Sequence, residues 1–361
     1  MSRSSIFSFS SLPSRPVISG AGLLAVAMVI LFRGVLAVMP PTFDRTEDPR
    51  SKTFRMFEVR AAANKATPEP VVILGTSRLG VAIAESAERH LSMGEHAVVD
   101  YSHPSNTFWW SATFLRRNPS VWHNARVAVI DVVPSQLYAS TWFSETSAVF
   151  LRYASWNDRL RVDDPADRLS AVSEWFLPTQ SQTKNLSTWA AAIHDTYRGP
   201  AAIQEPLAAT MYLGNTRTIP RDTPAPVEDR PTQTLHNNTA ENFKHYLTGK
   251  TVNEIQRQSI IWMTENVPED CTLLLIMPPV LRHPEEILID SPEMLERYTA
   301  FHDFLTGLTS DRVSVRFYED PGEFQLTAKH FVDGIHYSPE GVEKAGAIIA
   351  DAIREAAPTL E

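Results

Sequence analysis

The sequence predicts an α/β protein whose central parallel β-sheet is covered by helices on both faces. Two observations support this prediction: short runs of valine, isoleucine and leucine recur along the chain, and helix-like stretches separate them. Such runs, rich in valine, isoleucine and leucine, are expected for strands that are buried on both faces of a parallel sheet. The chain has 361 residues, of which 43% are hydrophobic, so it is long enough to build a large core.

The expected strands, in chain order, are residues 70–74, 97–101, 125–133, 272–277 and 313–318. The expected helices are residues 52–63, 79–91, 107–117, 166–175, 187–197, 240–265 and 341–356. The stretch 138–250 does not follow the strand–helix alternation and contains a proline-rich loop at 219–231. We therefore expect one α/β domain, residues 70–356, with a helical insertion at about 138–250. Ligands of such sheets bind at the carboxyl ends of the strands.

Composition excludes several classes of function. The net charge is −9 and the basic residues form no stripe, which disfavours a nucleic-acid partner. Cys271 is the single cysteine, so neither an intrachain disulfide nor a zinc site with paired cysteines can form. Because the chain also lacks metal-binding motifs such as H-E-x-x-H, we expect no metal and no cofactor.

The N-terminal region predicts a membrane anchor. Residues 1–16 form a leader without acidic residues, and residues 17–39 are almost wholly apolar. A span needs about 20 such residues, and Arg33 near one end can extend toward the headgroups. We expect a cytoplasmic leader, a transmembrane helix at 17–39 and a tether at 40–69. The alternatives are a cleaved signal peptide and a buried helix of a soluble protein.

Ser77 is the first candidate for chemistry. It follows the apolar run 70–74 and Gly75, directly before an expected helix. A strand–turn–helix of this kind lifts a hydroxyl out of the sheet at its carboxyl edge and places it beside free backbone N–H groups. The simpler alternative is that Thr76 or Ser77 only caps the helix.

Asp333 and His336 are the second candidates. They lie three positions apart in a turn before the last expected helix. A carboxylate at that spacing can hydrogen-bond one imidazole nitrogen and leave the other to act as a general base. The simpler alternative is an ordinary loop in which Asp333 forms a turn and Ser338 caps the helix before Pro339.

Together the two motifs resemble the SGNH/GDSL hydrolase superfamily. Gly75-Thr76-Ser77 matches its first block, usually G-D-S, and Asp333-Gly334-Ile335-His336 matches its last block, D-x-x-H. The resemblance covers about residues 70–135 and 270–356. It implies a three-layer α/β/α flavodoxin-like domain with Ser77 as nucleophile, His336 as general base and Asp333 as the carboxylate that orients it.

The oxyanion-hole blocks of the family are not matched. Its second block has a glycine and its third an asparagine, whereas residues 100–107 contain no glycine and residues 131–136 no asparagine. Losing one such donor cost about 10²–10³-fold in rate in a studied hydrolase. The remaining candidate donors are Ser77, Ser105, Asn106, Ser135 and Gln136.

Three residues are candidates for binding substrate. Arg78 could bind an anionic group or simply pair with a surface carboxylate. His103 could contact substrate from the loop after the second strand, or only stabilise that turn. Trp109 could stack on a sugar ring, although burial in the core is the commoner use of tryptophan.

Anchored proteins similar to this chain work in bacterial envelopes, in alginate O-acetylation and teichoic-acid D-alanylation. The resemblance implies a single-pass protein of the bacterial inner membrane with an extracytoplasmic catalytic domain. It further implies an acylated glycan or small ester as substrate and a multispanning membrane acyltransferase as partner. The activity would be O-acyl transfer or ester hydrolysis, both through an acyl-serine. The alternative is a non-catalytic accessory protein that keeps the fold for binding.

Overall fold

The computed structural model describes residues 22–24, 27–28, 30–31, 49–63, 71–91, 98–103, 106–138, 149–176 except 152 and 163, 232–249 and 252–358. Five parallel strands form one sheet in the order β2-β1-β3-β4-β5. The strands are β1 (Val71–Leu74), β2 (Val98–Asp100), β3 (Val127–Asp131), β4 (Thr272–Met277) and β5 (Val313–Phe317). The chain order reverses between β1 and β3, where sheets of this kind bind their ligands.

The helices of the described residues alternate with these strands. They are α1 (Pro49–Ala63), α2 (Val81–Leu91), α3 (Phe108–Arg117), α4 (Pro119–His123), α5 (Ser135–Tyr138), α6 (Trp156–Leu160), α7 (Pro165–Phe176), α8 (Thr232–His245), α9 (Glu254–Glu265), α10 (Pro284–Leu288), α11 (Pro292–Thr306) and α12 (Pro339–Ala356). Two 3-10 turns, Ser77–Leu79 and Ala328–His330, lie directly before α2 and shortly before α12.

Apolar side chains are buried on both faces of the sheet. On one face, Val71 and Ile73 of β1 share a core with Ile83 of α2 and Ile349 of α12. On the other face, a second core contains Val72 and Leu74 together with side chains of α3, α9 and α11. Successive residues of β1 therefore point to opposite cores, which explains why the strand is apolar throughout. The α/β architecture predicted from the sequence is confirmed.

The expected strands all occur, with bounds that differ from the predicted ones by no more than two residues. The single helix predicted for 240–265 was wrong, because α8 ends at His245 and α9 begins at Glu254. Gly249, in the segment between the two helices, lies so close to the backbone carbonyl of Tyr138 that a Cβ there would overlap it. Asn253 then starts α9 by accepting a hydrogen bond from the N–H of Gln256.

The segments that precede and follow the insertion are hydrogen-bonded to each other. Helices α6, α7 and α8 lie between β3 and β4, and the Asn253 N–H donates to the Leu137 carbonyl at 2.8 Å. The predicted helix 187–197 and the proline-rich loop 219–231 lie outside the described residues.

Most of the predicted span 17–39 also lies outside the described residues. Those positions of the run that are described are helical, and Leu23 and Leu24 among them are exposed. Within the described ranges, no helix has both the length and the apolar character that crossing a bilayer requires.

Helix α8 packs directly on the turn that carries Asp333 and His336. Gly334 has φ +90°, and a Cβ at this position would overlap the Thr239 hydroxyl and lie 2.8 Å from the Thr239 Cβ. Thr239 is fully buried on α8. Gly334 is thus required both by the backbone conformation and by the close approach of the insertion helix.

We expect Gly334→Ala to destabilise the protein by about 1–3 kcal/mol, because the new methyl group must displace α8 and sit at a strained φ. Urea unfolding measures the loss. Gly80→Ala is the matched control, since φ there is −64° and the added Cβ would meet its nearest neighbour at 3.7 Å. Equal stability of the two variants would contradict the tight contact between α8 and the turn.

Candidate active site

The segment after β1 forms a tight turn that exposes Ser77. Gly75 and Thr76 follow the strand, and the 3-10 turn Ser77–Leu79 precedes α2. The Thr76 hydroxyl accepts a hydrogen bond from the Arg78 N–H at 3.2 Å and so caps this turn. Gly75 has no room for a side chain, because a Cβ there would lie 2.9 Å from the Ser102 Oγ. Ser77 itself is exposed, in contrast to its neighbours Thr76 and Arg78.

A second turn, before α12, carries Asp333 and His336. The Asp333 Oδ1 accepts hydrogen bonds from the backbone N–H groups of Ile335 at 3.1 Å and His336 at 2.8 Å. The Val332 N–H donates to the His336 carbonyl at 2.8 Å, which closes the turn. These bonds fix the backbone of His336 relative to the carboxylate of Asp333.

The two turns bring three side chains into a hydrogen-bonded row. The Ser77 Oγ lies 2.8 Å from the His336 Nε2, across a separation of 259 residues in the chain. The His336 Nδ1 lies 2.7 Å from the Asp333 Oδ2. The side chains of His336 and Asp333 are 39% and 31% exposed, so a ligand can reach the row from solvent.

Asp333 is held in its ionised form. Partial burial alone would raise its pKa, but hydrogen bonds from the His336 side chain and backbone outweigh burial and lower the pKa of Asp333 below its ordinary value. An ionised carboxylate can only accept, so the His336 Nδ1 carries the proton that it donates. The Nε2 is then the unprotonated nitrogen and faces the serine hydroxyl.

This arrangement can remove a proton from a hydroxyl group. As the Ser77 oxygen attacks an electrophilic carbon, the His336 Nε2 takes its proton, and Asp333 stabilises the imidazolium that forms. The same imidazolium can later return the proton to a leaving alcohol. The row lies at the carboxyl edge of the sheet, where α/β proteins place ligands.

The loop after β2 is hydrogen-bonded to the turn that carries Ser77. The Ser102 Oγ accepts from the Gly75 N–H and donates to the Leu79 carbonyl, both at 3.0 Å. The Gly75 carbonyl accepts from the His103 N–H at 2.9 Å and from the Asn106 Nδ2 at 3.3 Å. Hydrogen bonds therefore reach the residues at both ends of the turn.

Two of the predicted oxyanion donors are engaged elsewhere. The Asn106 N–H donates to the His103 carbonyl, and its side-chain amide donates to Gly75 and Ser111. The Gln136 Nε2 donates to the carbonyls of Asn106 and Asp131, and its Oε1 accepts from the Val133 N–H. Neither residue is left to hold an oxyanion, because its polar groups tie the loops after β2 and β3 together.

Two of the other predicted oxyanion donors, Ser77 and Ser135, remain candidates. The backbone N–H of Ser77 makes no hydrogen bond to any described residue, so it stays a candidate. Ser135 begins α5 and is half-buried, and it also stays a candidate. Ser105 lies outside the described residues.

Two predicted substrate contacts are corrected. Arg78 is 2% exposed and turns its guanidinium into the protein, where it donates to the carbonyls of Pro278 and Pro279. Trp109 is fully buried in the core between the sheet and α3, and its backbone N–H donates to the Gln256 Oε1. His103 is 9% exposed and its ring is stacked near that of Trp110, so a contact with substrate there stays a prediction.

Sequence reasoning missed Asp131, the last residue of β3. It is fully buried, and its carboxylate accepts two hydrogen bonds from Thr76, next to Ser77. The signal was present in the sequence as a single acidic residue inside an apolar run, residues 125–133. A lone carboxylate in a buried strand needs nearby partners, which marks it as a candidate for function.

The described residues contain no group of three or more histidine, cysteine, aspartate or glutamate side chains that could hold a metal ion. No protein-family model and no curated protein matches the sequence. The geometry of the row Ser77–His336–Asp333 is therefore the principal basis for a functional assignment.

Proposed function

We propose that this chain is a serine enzyme of the SGNH type that cleaves or transfers acyl esters through an acyl-serine intermediate. The observation that supports the proposal most directly is the distance of 2.8 Å between the Ser77 Oγ and the His336 Nε2. The orienting carboxylate of Asp333 at 2.7 Å completes the set of groups that such a reaction needs. The strand order 2-1-3-4-5 is that of flavodoxin-like sheets, in agreement with this superfamily.

In the first half of the reaction, the Ser77 oxygen attacks the carbonyl carbon of the ester while its proton passes to the His336 Nε2. The tetrahedral intermediate carries a negative oxygen, for which the Ser77 N–H is the available backbone donor. When the C–O bond to the alcohol breaks, His336 gives its proton to the leaving oxygen. The acyl group is then bound to Ser77 as an ester.

In the second half, a second hydroxyl group attacks the acyl-serine. His336 takes the proton of the attacking oxygen, and the same nitrogen returns a proton to the Ser77 oxygen as it leaves. Attack by water makes the chain an esterase, and attack by a sugar hydroxyl makes it an O-acyltransferase. We propose an extracytoplasmic glycan as the natural substrate, with residues 17–39 as the membrane anchor and a multispanning acyltransferase as partner.

A fluorophosphonate probe tests the proposal on the full-length chain in detergent. Such probes phosphonylate a serine oxygen that a neighbouring base activates, so we expect one adduct, at Ser77, found by peptide mapping. Ser135, a half-buried serine of the same chain, should stay unlabelled. Absence of the adduct, together with no turnover of p-nitrophenyl acetate, would refute the enzyme and favour a non-catalytic accessory protein.

Transfer and hydrolysis can be separated by the fate of the acyl group. The full-length chain is given p-nitrophenyl acetate with and without a short neutral oligosaccharide such as cellotetraose. Acetylated sugar formed at the expense of free acetate would indicate transfer. Unchanged acetate release with no acetylated sugar would indicate hydrolysis with this acceptor.

A further inference from the structure

The carboxylate of Asp131 is hydrogen-bonded to the turn that carries Ser77. Its Oδ1 accepts from the Thr76 backbone N–H at 2.8 Å, and its Oδ2 accepts from the Thr76 hydroxyl at 2.5 Å. The same Thr76 hydroxyl accepts from the Arg78 N–H at 3.2 Å. One carboxylate thereby fixes the residue before Ser77 directly and the residue after it through a single bridging hydroxyl.

We infer that Asp131 is a positioning residue, whose ionised carboxylate holds Thr76 and Arg78 so that the Ser77 hydroxyl points at the His336 Nε2. The inference rests on the proposed function of Ser77 as nucleophile. Asp131 touches neither the Ser77 hydroxyl nor the imidazole in the hydrogen bonds that the structure shows, so it acts only through the turn.

A carboxylate in this place is costly, which argues that its charge has a use. Asp131 is fully buried, and burial raises its pKa to about 6, although the hydrogen bonds from Thr76 and the charge of Arg78 pull it down. An uncharged residue could fill the same space without this desolvation cost. The chain nevertheless keeps a buried acid and a buried base, Asp131 and Arg78, directly behind one exposed serine.

The network needs a group that only accepts hydrogen bonds. Asp131 receives two donors from Thr76, and the Thr76 hydroxyl already receives one from Arg78. A proton on the Oδ2 would point at that hydroxyl, which would then have two donors aimed at it and no acceptor for its own proton. A proton on the Oδ1 would oppose the Thr76 N–H. Protonation of Asp131 therefore loosens the turn.

Burial also raises the pKa of Asp100 to about 6; this carboxylate accepts from the Ser102 N–H and is unchanged in an Asp131 variant. The charged and titratable groups nearest to Asp131 do not duplicate its change of charge. Arg78 lies on the same turn as Ser77, Tyr337 follows His336, and Tyr246 follows α8. Burial raises the pKa values of both tyrosines above their ordinary range. Among Asp131 and these nearest groups, only Asp131 changes its charge between about pH 5 and pH 7.

Asp131→Asn tests the inference because it imitates the protonated acid at equal size. We expect the rate of fluorophosphonate labelling of Ser77 at pH 8 to fall on the order of 10²-fold, a loss that a misplacement of about 1 Å can produce. At acid pH, protonation of the protein lowers the labelling rate. The number of protons that cause this decrease, read from the slope of log rate against pH, should be larger by one in the wild type than in Asp131→Asn. A purely structural residue would leave the proton number unchanged.

Stability gives an independent readout. Because the folded-state pKa of Asp131 is about 6 and exceeds that of the unfolded chain, its ionisation destabilises the fold as pH rises from about 4 through 6. At pH 8 the Asp131→Asn variant should therefore unfold at the same temperature as wild type or at a higher one. A lower unfolding temperature with a parallel loss of labelling would overturn the positioning role.

Thr76 supplies the matched pair of variants. Thr76→Val removes the bridging hydroxyl at equal size and should slow labelling by a similar factor, whereas Thr76→Ser keeps the hydroxyl and should restore most of the rate. Wild-type rates in both Thr76→Val and Asp131→Asn would refute the inference while leaving the proposed function intact. A wild-type chain that is never labelled would instead refute the proposed function, and the inference with it.

Discussion

Replacing Ser77 by alanine should abolish ester turnover, with kcat lowered on the order of 10⁴-fold or more. Alanine has no oxygen at the position that lies 2.8 Å from the His336 Nε2, so no acyl-enzyme can form. Only weak catalysis by a water molecule next to the imidazole would remain. Because the Ser77 side chain is exposed, its removal should leave the unfolding temperature unchanged.

Turnover of p-nitrophenyl acetate and the unfolding temperature measure these two effects. Ser310→Ala is the control. Ser310 is exposed and lies in the short turn before β5, at the amino end of that strand and therefore far from the carboxyl edge of the sheet. It should retain wild-type turnover. If Ser77→Ala hydrolyses the ester as fast as Ser310→Ala does, the proposed nucleophile is wrong and the activity arises elsewhere.

Asp333→Asn is expected to have the second largest effect, a loss of about 10⁴-fold in kcat. This is the loss seen when the aspartate of a Ser-His-Asp triad is replaced by asparagine and the histidine takes the wrong tautomer. The Asp333 Oδ1 accepts from two backbone N–H groups, of Ile335 and His336. An asparagine will keep its oxygen there and turn its amide nitrogen toward the imidazole. The Nδ1 must then accept, the proton moves to the Nε2, and that nitrogen can no longer take the proton of Ser77.

The loss should be in chemistry and not in folding, because the backbone hydrogen bonds of the turn persist. Asp320→Asn is a matched control: its Oδ1 accepts from the backbone N–H of Gly322 at 2.7 Å, in an exposed turn of similar type. It should show wild-type kcat. An Asp333→Asn variant with nearly full activity would mean that another group orients His336.

The pattern of apolar runs was enough to locate the sheet. Strands such as β4 are buried on both faces, and the five residues Leu273–Met277 that follow its first threonine are all apolar and buried, which makes the signal clear. The boundary between α8 and α9 could not be located in this way. The segment between them includes the contact of Gly249 with the Tyr138 backbone, which joins residues more than a hundred positions apart and leaves no mark in the local sequence.

Spacing likewise identified the residues that carry the proposed chemistry. Asp333 and His336 are close in sequence, so local geometry already indicated their hydrogen bond, and Ser77 follows a recognisable strand. Asp131 was missed because its partner Thr76 is 55 positions away, and sequence gives no measure of that proximity. Arg78 was misjudged for a related reason: arginine is commonly exposed, and only the fold shows its guanidinium buried against Pro278.

The contact between Thr239 and Gly334 sets a limit on redesign. A smaller version of this protein is not obtained by excising the whole stretch from 139 to 250 and joining the ends, because α8 would be lost and the loop that presents the imidazole would lose its buttress. Trimming has to spare residues 232–249. A chain shortened between the third and fourth strands would keep His336 in place only if Thr239 still packed against Gly334.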